Sequence, residues 1–204
     1  MFKKNFTELV IGSNNAGKIK EIKDLLPKKY KIFTPSDFSL KSPVENGKTF
    51  LENSLIKAKF FSKKTKKICI SDDSGIEIDL LDKRPGIYSA RWAGEKNNFN
   101  IAINKVFKEL YKQNKNWKQK KLSARFICAL TIYGLKKKPI QVEGKIEGKI
   151  SKVKKGKNGF GYDPIFIPLG YKKTFGEMDY IQKISMDHRF VAFTKLEKKI
   201  KDYF

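Results

Sequence analysis

The chain has 204 residues and a formal net charge of +24, and 40% of its residues are hydrophobic. Domains commonly run to about 100–200 residues, so a single domain over residues 1–204 is the simplest organisation. The apolar fraction excludes a disordered chain, because it offers enough apolar surface to offset the entropy lost on folding.

The first part of the chain predicts two strand and helix pairs. Residues 9–11 predict a short buried strand, and apolar residues at helical spacing over 19–26 predict a helix that ends before Pro27. The same spacing predicts a second helix over residues 51–61. A short apolar strand over 68–70 follows.

We expect that strand to end in an abrupt acidic turn, Asp72-Asp73-Ser74-Gly75, which would deliver two carboxylates to a loop. Beyond the turn, the alternation of apolar and acidic residues over 76–80 predicts a half-buried strand.

The later part predicts further alternation of helices and strands. Residues 103–111 form the clearest amphipathic pattern, and 122–133 indicate a long buried strand. Apolar and polar residues alternate over 140–146, and this segment would pair antiparallel with that strand across the turn 134–139. A helix from about Phe190 ends the chain. Interleaved helices and strands predict an α/β fold around a mixed sheet.

The positive charge comes almost entirely from lysine. Of the 45 basic residues only four are arginine, and the lysines are spread over every segment. A basic surface can bind nucleic acid by releasing counterions, but arginine is preferred for planar contacts with phosphate and bases. We interpret the excess as compositional drift and expect no specific nucleic-acid partner, with a nucleic-acid-binding protein as the alternative.

The cysteines and the amino terminus bear on the location of the protein. Cys69 and Cys128 are the only cysteines, and each lies in an apolar run where a free thiol behaves as a small hydrophobe. The first ten residues have no apolar stretch long enough for a signal peptide, and no run of about 18 apolar residues predicts a membrane span. We therefore expect a cytoplasmic protein without membrane contact.

Residues 12–18 form a glycine-containing loop between a predicted strand and a helix. Free amide donors and the helix dipole favour anionic oxygens at such a place. The loop has the GxxxxGK spacing of a P-loop, but Ile19 stands where that motif needs Ser or Thr to hold magnesium. Phosphate binding is one interpretation, and a turn that uses Gly and Asn for backbone reasons is the other.

Acidic residues offer candidate ligands for Mg²⁺, because adjacent carboxylates supply hard oxygen atoms. Asp72 and Asp73 form the closest pair, with Glu45 and Glu52 as further candidates. A lysine could compensate this charge as well as a metal, and Asp-Ser-Gly can also be only a turn.

Two further segments could recognise a planar ligand. The glycine-dense loop 156–164 carries aromatic rings that can stack, or that could merely cover the core. Lys183 and the pair His188-Arg189 provide N–H donors near neutral pH, although a lone His is often structural.

Taken together and in this order, the motifs resemble those of the inosine triphosphate pyrophosphatase family, the Ham1-like or RdgB-like enzymes. The matching segments are SNNAGK (13–18), TFLENSLIKAK (49–59), SDDSG (71–75), PGIYSARWAG (85–94), GFGYDPIF (159–166), and Lys183 before His188-Arg189. The resemblance spans nearly the whole chain, and six segments in family order are highly specific.

The resemblance implies an elongated mixed sheet flanked by helices, with two lobes and a central cleft, a fold shared with Maf-type enzymes, and a homodimer. It implies Mg²⁺-dependent cleavage of the α–β phosphate bond of ITP, dITP or XTP, which yields the monophosphate and pyrophosphate and cleanses the nucleotide pool. The related Maf-type pyrophosphatases, which favour pyrimidine or modified triphosphates, are the alternative enzyme class.

The resemblance also implies roles for individual residues. Glu45 and Asp73 would bind Mg²⁺, and Asp73 would also be the catalytic base for water. The triphosphate would be bound by Ser13, Asn14, Asn15, Ala16, Gly17, Lys18 and Lys57. The nucleoside would be held by Ser74, Phe160, Gly161, Tyr162, Asp163, Lys183, His188 and Arg189. Gln182 and Asp187 differ from the residues that are common in the family beside the base, which bears on fine specificity.

Overall fold

The structure, a computed structural model, describes residues 6–201; residues 1–5, on which part of the signal-peptide expectation rests, and 202–204 lie outside the described residues. The strands are β1 (Glu8–Ile11), β2 (Lys31–Phe33), β3 (Ile68–Ile78), β4 (Ser123–Tyr133), β5 (Ile140–Ile150) and β6 (Phe166–Pro168). The helices are α1 (Ala16–Leu25), α2 (Phe50–Thr65), α3 (Phe99–Gln113), α4 (Tyr180–Ile184) and α5 (His188–Ile200). None of these helices in residues 6–201 is long and apolar enough to cross a membrane.

The strands form one mixed sheet in the order β2-β1-β3-β4-β5-β6. Strand β1 pairs in parallel with both β2 and β3, whereas β6 pairs antiparallel with β5. The Ile150 amide at the end of β5 donates to the Leu122 carbonyl just before β4, as an antiparallel hairpin requires. The predicted α/β fold with a mixed sheet is therefore confirmed.

The predicted acidic turn is wrong. Residues 72–75 lie inside β3, which runs without interruption from Ile68 to Ile78. Buried Asp72 and Asp73 remain in a strand because cationic side chains satisfy their charges. Gly75 allows the close packing that follows, since a Cβ there would lie 2.4 Å from the Gly86 carbonyl oxygen. The second predicted strand also ends early, because residues 79–81 form a 3₁₀ turn.

Contacts divide the chain into two compact units. The first unit comprises the chain up to Asp73, Cys128–Gly144 and the chain from Arg189 onward; the second comprises Ser74–Ile127 and Lys145–His188. The boundary falls within β3, β4 and β5, so each unit contains part of these strands. The single domain and the central cleft stay predictions.

The first unit has its own apolar core between the strands and the helices α1 and α5. Leu9 and Ile11 of β1 are fully buried, as is Leu196 of α5. Asn15 caps α1, because its side chain accepts the Lys18 N–H. The helix ends before Pro27, as the sequence predicts. This packing places the polar loop 12–15 at the start of α1.

The second unit has a separate core, formed around α3 and the adjacent strands. Ile103, Val106 and Leu110 of α3 are buried, which confirms most of the predicted amphipathic face, whereas Tyr111 at its end is exposed. Phe126 and Phe166 contribute large rings to the same core, with centroids 4.7 Å apart. The glycine-dense loop therefore leads into a strand whose first residue belongs to the core of the second unit.

Candidate active site

The predicted site residues fall into two groups, one in each unit. The first unit contains Ser13, Asn14, Asn15, Ala16, Gly17, Lys18, Glu45, Lys57, Asp73 and Arg189. The second contains Ser74, Phe160, Gly161, Tyr162, Asp163, Lys183 and His188. Glu52 takes a different role, since its carboxylate accepts the Lys48 N–H at the start of α2.

The polar loop before α1 packs closely on β3 and is held by side-chain hydrogen bonds. Gly12 packs so closely on β3 that a Cβ there would lie 2.1 Å from the Ser71 hydroxyl oxygen. The Ser13 hydroxyl accepts the Asn15 N–H, and the Asn14 amide donates to Ser42 over 3.0 Å. Because the first amides of a helix have no partner within it, the start of α1 favours a negatively charged group.

Asp72 holds two cationic side chains beside this loop. Lys18 Nζ lies 3.1 Å from Asp72 Oδ2, and the Arg189 guanidinium lies 3.3 Å from the same oxygen atom. Arg189 also pairs with the buried carboxylate of Glu21. Burial alone would raise the pKa of Asp72, but Lys18 and Arg189 together lower it below the usual value. Asp72 is therefore ionised at neutral pH.

Lys57 joins the two carboxylates that the resemblance assigns to magnesium. Its Nζ atom lies 2.9 Å from Glu45 Oε1 and 3.3 Å from Asp73 Oδ1. Asn53, one helical turn earlier on α2, donates to Asp73 Oδ2 over 3.2 Å. Burial raises the pKa of Asp73 although Lys57 opposes the shift, and Glu45 and Asp72 raise it further.

These residues form what we call the carboxylate cluster: Glu21, Glu45, Asp72 and Asp73 with Lys18, Lys57 and Arg189. The cluster consists of two salt-bridge networks, one around Asp72 and one around Lys57. Mg²⁺ commonly binds through one or two carboxylates together with substrate phosphates. Within residues 6–201 no three acidic, His or Cys groups converge on a metal site, and Glu45 and Asp73 remain the predicted pair for that mode.

A different arrangement occupies the second unit. Lys183 Nζ lies 2.8 Å from Asp163 Oδ2, and both side chains are almost fully buried. The ammonium group lies 4.7 Å from the centroid of the Phe160 ring and 5.8 Å from that of Phe175. We call these four residues the ring cluster. It places one cation among apolar faces, where a cation–π contact is stronger than in water.

The loop around the ring cluster depends on glycine and on backbone hydrogen bonds. Gly159 has φ of +71°, and a Cβ on it would lie 2.0 Å from Asp163 Oδ2. The same Asp163 oxygen accepts the Phe160 N–H over 2.8 Å. Tyr162 is buried in the core, where its hydroxyl donates to the Ser89 carbonyl. Tyr162 thus anchors the loop, and the neighbouring Gly161 also has positive φ, +69°.

His188 and Ser74 complete the second group. The imidazole of His188 is buried and stacks on Phe126, with centroids 4.8 Å apart and planes 12° from parallel. Ser74 is half-buried in β3, directly after Asp73. The predicted positions therefore include both buried supporting side chains and partly accessible ones.

The sequence alone did not single out several residues of these clusters. Glu21 lies one turn after Lys18 on α1, and Asn53 lies one turn before Lys57 on α2. Helical spacing from those lysines was the only signal that could have indicated them. Phe175 lies in a segment without any recognisable motif, and only the fold brings it to Lys183.

Comparison with known proteins shows the family of the chain. The model of the Ham1 family matches residues 9–199. A dITP/XTP pyrophosphatase of Bacillus subtilis is 40% identical over 193 residues, which cover 94% of this chain and 96% of that protein.

Solved structures give the same result. The Staphylococcus aureus Ham1 protein has a TM-score of 0.82 and 35% identity, covering 95% of this chain and 98% of that one. A HAM1 protein from Coxiella burnetii has a TM-score of 0.84 and 33% identity, covering 97% and 100%. Both solved structures are Ham1 proteins, so the α/β fold of this chain is the fold of that class of protein. More particularly, the chain belongs to the Ham1 family.

Proposed function

We propose that the protein hydrolyses the α–β phosphate bond of ITP, dITP or XTP and so removes non-standard purines from the nucleotide pool. The family and the name of the Bacillus subtilis relative support this activity. The observation that carries it is the placement of Lys57 between Glu45 and Asp73. Phosphoryl transfer depends mainly on positioning and charge stabilisation, and this arrangement supplies both.

Four charged groups of the first unit have defined tasks in this proposal. Lys18, Lys57 and the loop 13–17 bind the triphosphate, while Glu45 and Asp73 hold Mg²⁺. The metal, when bound, neutralises charge on the phosphate oxygens. Asp73 accepts a proton from the water that attacks the α-phosphorus. One P–O bond forms to that water, and the bond to the pyrophosphate breaks.

Selection of the base is assigned to donors of the second unit. Hypoxanthine and xanthine carry an oxygen acceptor at position 6, where adenine carries an amino donor. Lys183, His188 or backbone amides can donate to the oxygen, whereas an amino group there would leave buried donors unpaired. The guanidinium of Arg189 pairs with Glu21 and Asp72, and the predicted contact of Arg189 with the nucleotide stays a prediction. We assign Arg189 to holding Asp72, and we retain a cytoplasmic homodimer as part of the proposal.

The test is product identification with purified protein and Mg²⁺ on ITP, dITP, XTP, ATP, dTTP and UTP. We expect ITP to yield IMP and pyrophosphate, with kcat/KM about a thousandfold above that for ATP. Release of inorganic phosphate alone contradicts the bond assignment, and equal rates on all purines contradict the selectivity. Preference for dTTP or UTP would indicate Maf-type activity. Strong, salt-dependent binding of duplex DNA would instead favour a nucleic-acid-binding protein.

A further inference from the structure

Asn53 is a neutral side chain that contacts the carboxylate cluster through Asp73. It lies in the first turn of α2, is fully buried, and engages both ends of its carboxamide. Its Oδ1 accepts the Gly47 N–H over 2.8 Å, and its Nδ2 donates to Asp73 Oδ2 over 3.2 Å. A backbone N–H can only donate and an ionised carboxylate can only accept, so the partners fix the orientation of the amide.

The contact with Gly47 is a close one that only glycine permits. A Cβ on Gly47 would lie 2.7 Å from Asn53 Oδ1 and 3.0 Å from the Asn53 backbone nitrogen. Glu45 lies two residues before Gly47 in the same segment. One side chain therefore connects the segment that carries Glu45 with the strand that carries Asp73.

The two oxygen atoms of Asp73 have different partners. Lys57 lies 3.3 Å from Oδ1 and also holds Glu45, whereas Asn53 holds Oδ2. A lysine ammonium on a flexible stem acts as a point charge and imposes little direction. The carboxamide is planar and already fixed by Gly47, so it determines the plane of the carboxylate. Rotation of the Asp73 carboxylate would break one of these two hydrogen bonds.

We propose that Asn53 is a positioning residue that holds the Asp73 carboxylate and the Glu45 segment in the arrangement required for metal binding and water activation. This inference rests on the proposed function. Asn53 acts through Asp73 and Gly47, so its loss lowers turnover more than substrate affinity. Partners that orient ligating groups typically change metal affinity or activity by about 10- to 100-fold when removed.

Two variants separate the two hydrogen bonds, and a third serves as a matched control. Asn53→Asp keeps an acceptor for Gly47 but replaces the donor to Asp73 by a carboxylate that repels it, and Asn53→Ala loses both hydrogen bonds. Ser62→Ala removes another buried hydrogen bond of α2, the one that Ser62 donates to the Lys67 carbonyl. Ser62 lies about two and a half turns beyond Asn53 on the helix.

The first readout is hydrogen exchange of the Gly47 amide in protein without metal or substrate. We expect exchange to accelerate at least about tenfold in Asn53→Ala and to stay near the wild-type rate in Asn53→Asp and Ser62→Ala. Unchanged exchange in Asn53→Ala overturns the link to the Glu45 segment.

The second readout is ITP turnover with Mg²⁺. We expect kcat to fall about 10- to 100-fold in both Asn53 variants while KM changes less than about threefold. If Asn53→Asp turns over ITP as fast as Ser62→Ala does, the inference is overturned, while the proposed function still stands. A wild-type protein that does not convert ITP to IMP and pyrophosphate contradicts the proposed function instead.

Discussion

The carboxylate cluster and the ring cluster differ in how many charged side chains they bring together. In the first, charged side chains form two salt-bridge networks, one around Asp72 and one around Lys57. In the second, a single ion pair between Lys183 and Asp163 lies beside the faces of two phenylalanine rings. Several charged groups together can bind a triphosphate and support bond cleavage, whereas a single buried donor in apolar surroundings can distinguish one neutral base from another.

The largest effect is expected from the carboxylate cluster. Asp73→Asn keeps the shape of the side chain but removes the base, so kcat for ITP should fall by about 10²–10⁴-fold. Thermal unfolding should show that the variant is folded. If Asp73→Asn retained most of the wild-type turnover, Asp73 would not be the catalytic base. The control is Asp24→Asn, at an exposed position of α1.

Asp72→Asn should affect stability rather than chemistry alone. The change leaves Lys18 and Arg189 without the carboxylate that they share, and breaking a buried pair costs about 3–5 kcal/mol in the free energy of unfolding. Denaturant unfolding at pH 7 measures this difference. A loss in the free energy of unfolding as small as that of Asp24→Asn would show that Asp72 does not stabilise Lys18 and Arg189.

The difference in free energy of unfolding between wild type and Asp72→Asn should also depend on pH. The two cations lower the pKa of Asp72 in the folded protein, so its stabilising effect is complete above the ordinary value of about 3.9. It is lost as the pH falls from there through the folded pKa. The gap between wild type and Asp72→Asn should therefore narrow only in acid; a gap that is constant down to acidic pH would contradict this account.

A smaller effect, on selectivity, is expected from the ring cluster. Lys183→Met keeps an apolar chain beside Phe160 and Phe175 but removes the donor. Losing one buried hydrogen bond costs about 1–3 kcal/mol, so the preference for ITP over ATP should fall roughly 10- to 100-fold. Lys108→Met, at an exposed position of α3, is the control. An unchanged preference would show that another donor reads the base.

Periodicity was sufficient to predict most helices and the long strand β4. The helices α1, α2 and α3 follow apolar spacing, because packing against one core imposes that spacing on the sequence. Local sequence reasoning failed for the acidic residues of β3, which were predicted to form a turn. Asp-Ser-Gly is typical of a turn when the local sequence is considered alone, and the compensating Lys18 and Arg189 come from distant parts of the chain.

The candidate site was predictable only in part, for the same reason. Charged residues within recognisable motifs, such as Glu45 and Lys57, could be identified by resemblance. Arg189 meets Glu21 from 168 positions away in the sequence, and no local pattern specifies such a pair. Asn53 was missed because a neutral amide carries no signal until its hydrogen-bond partners are known.

The most direct test of this division of tasks is the ratio of kcat/KM for ITP to that for ATP in two variants, Lys57→Met and Lys183→Met. The account predicts that Lys57→Met lowers both values by a similar factor and leaves the ratio within about twofold of wild type. Lys183→Met should lower the ratio about tenfold or more. The same change of ratio in both variants, or a change confined to Lys57→Met, would contradict the account.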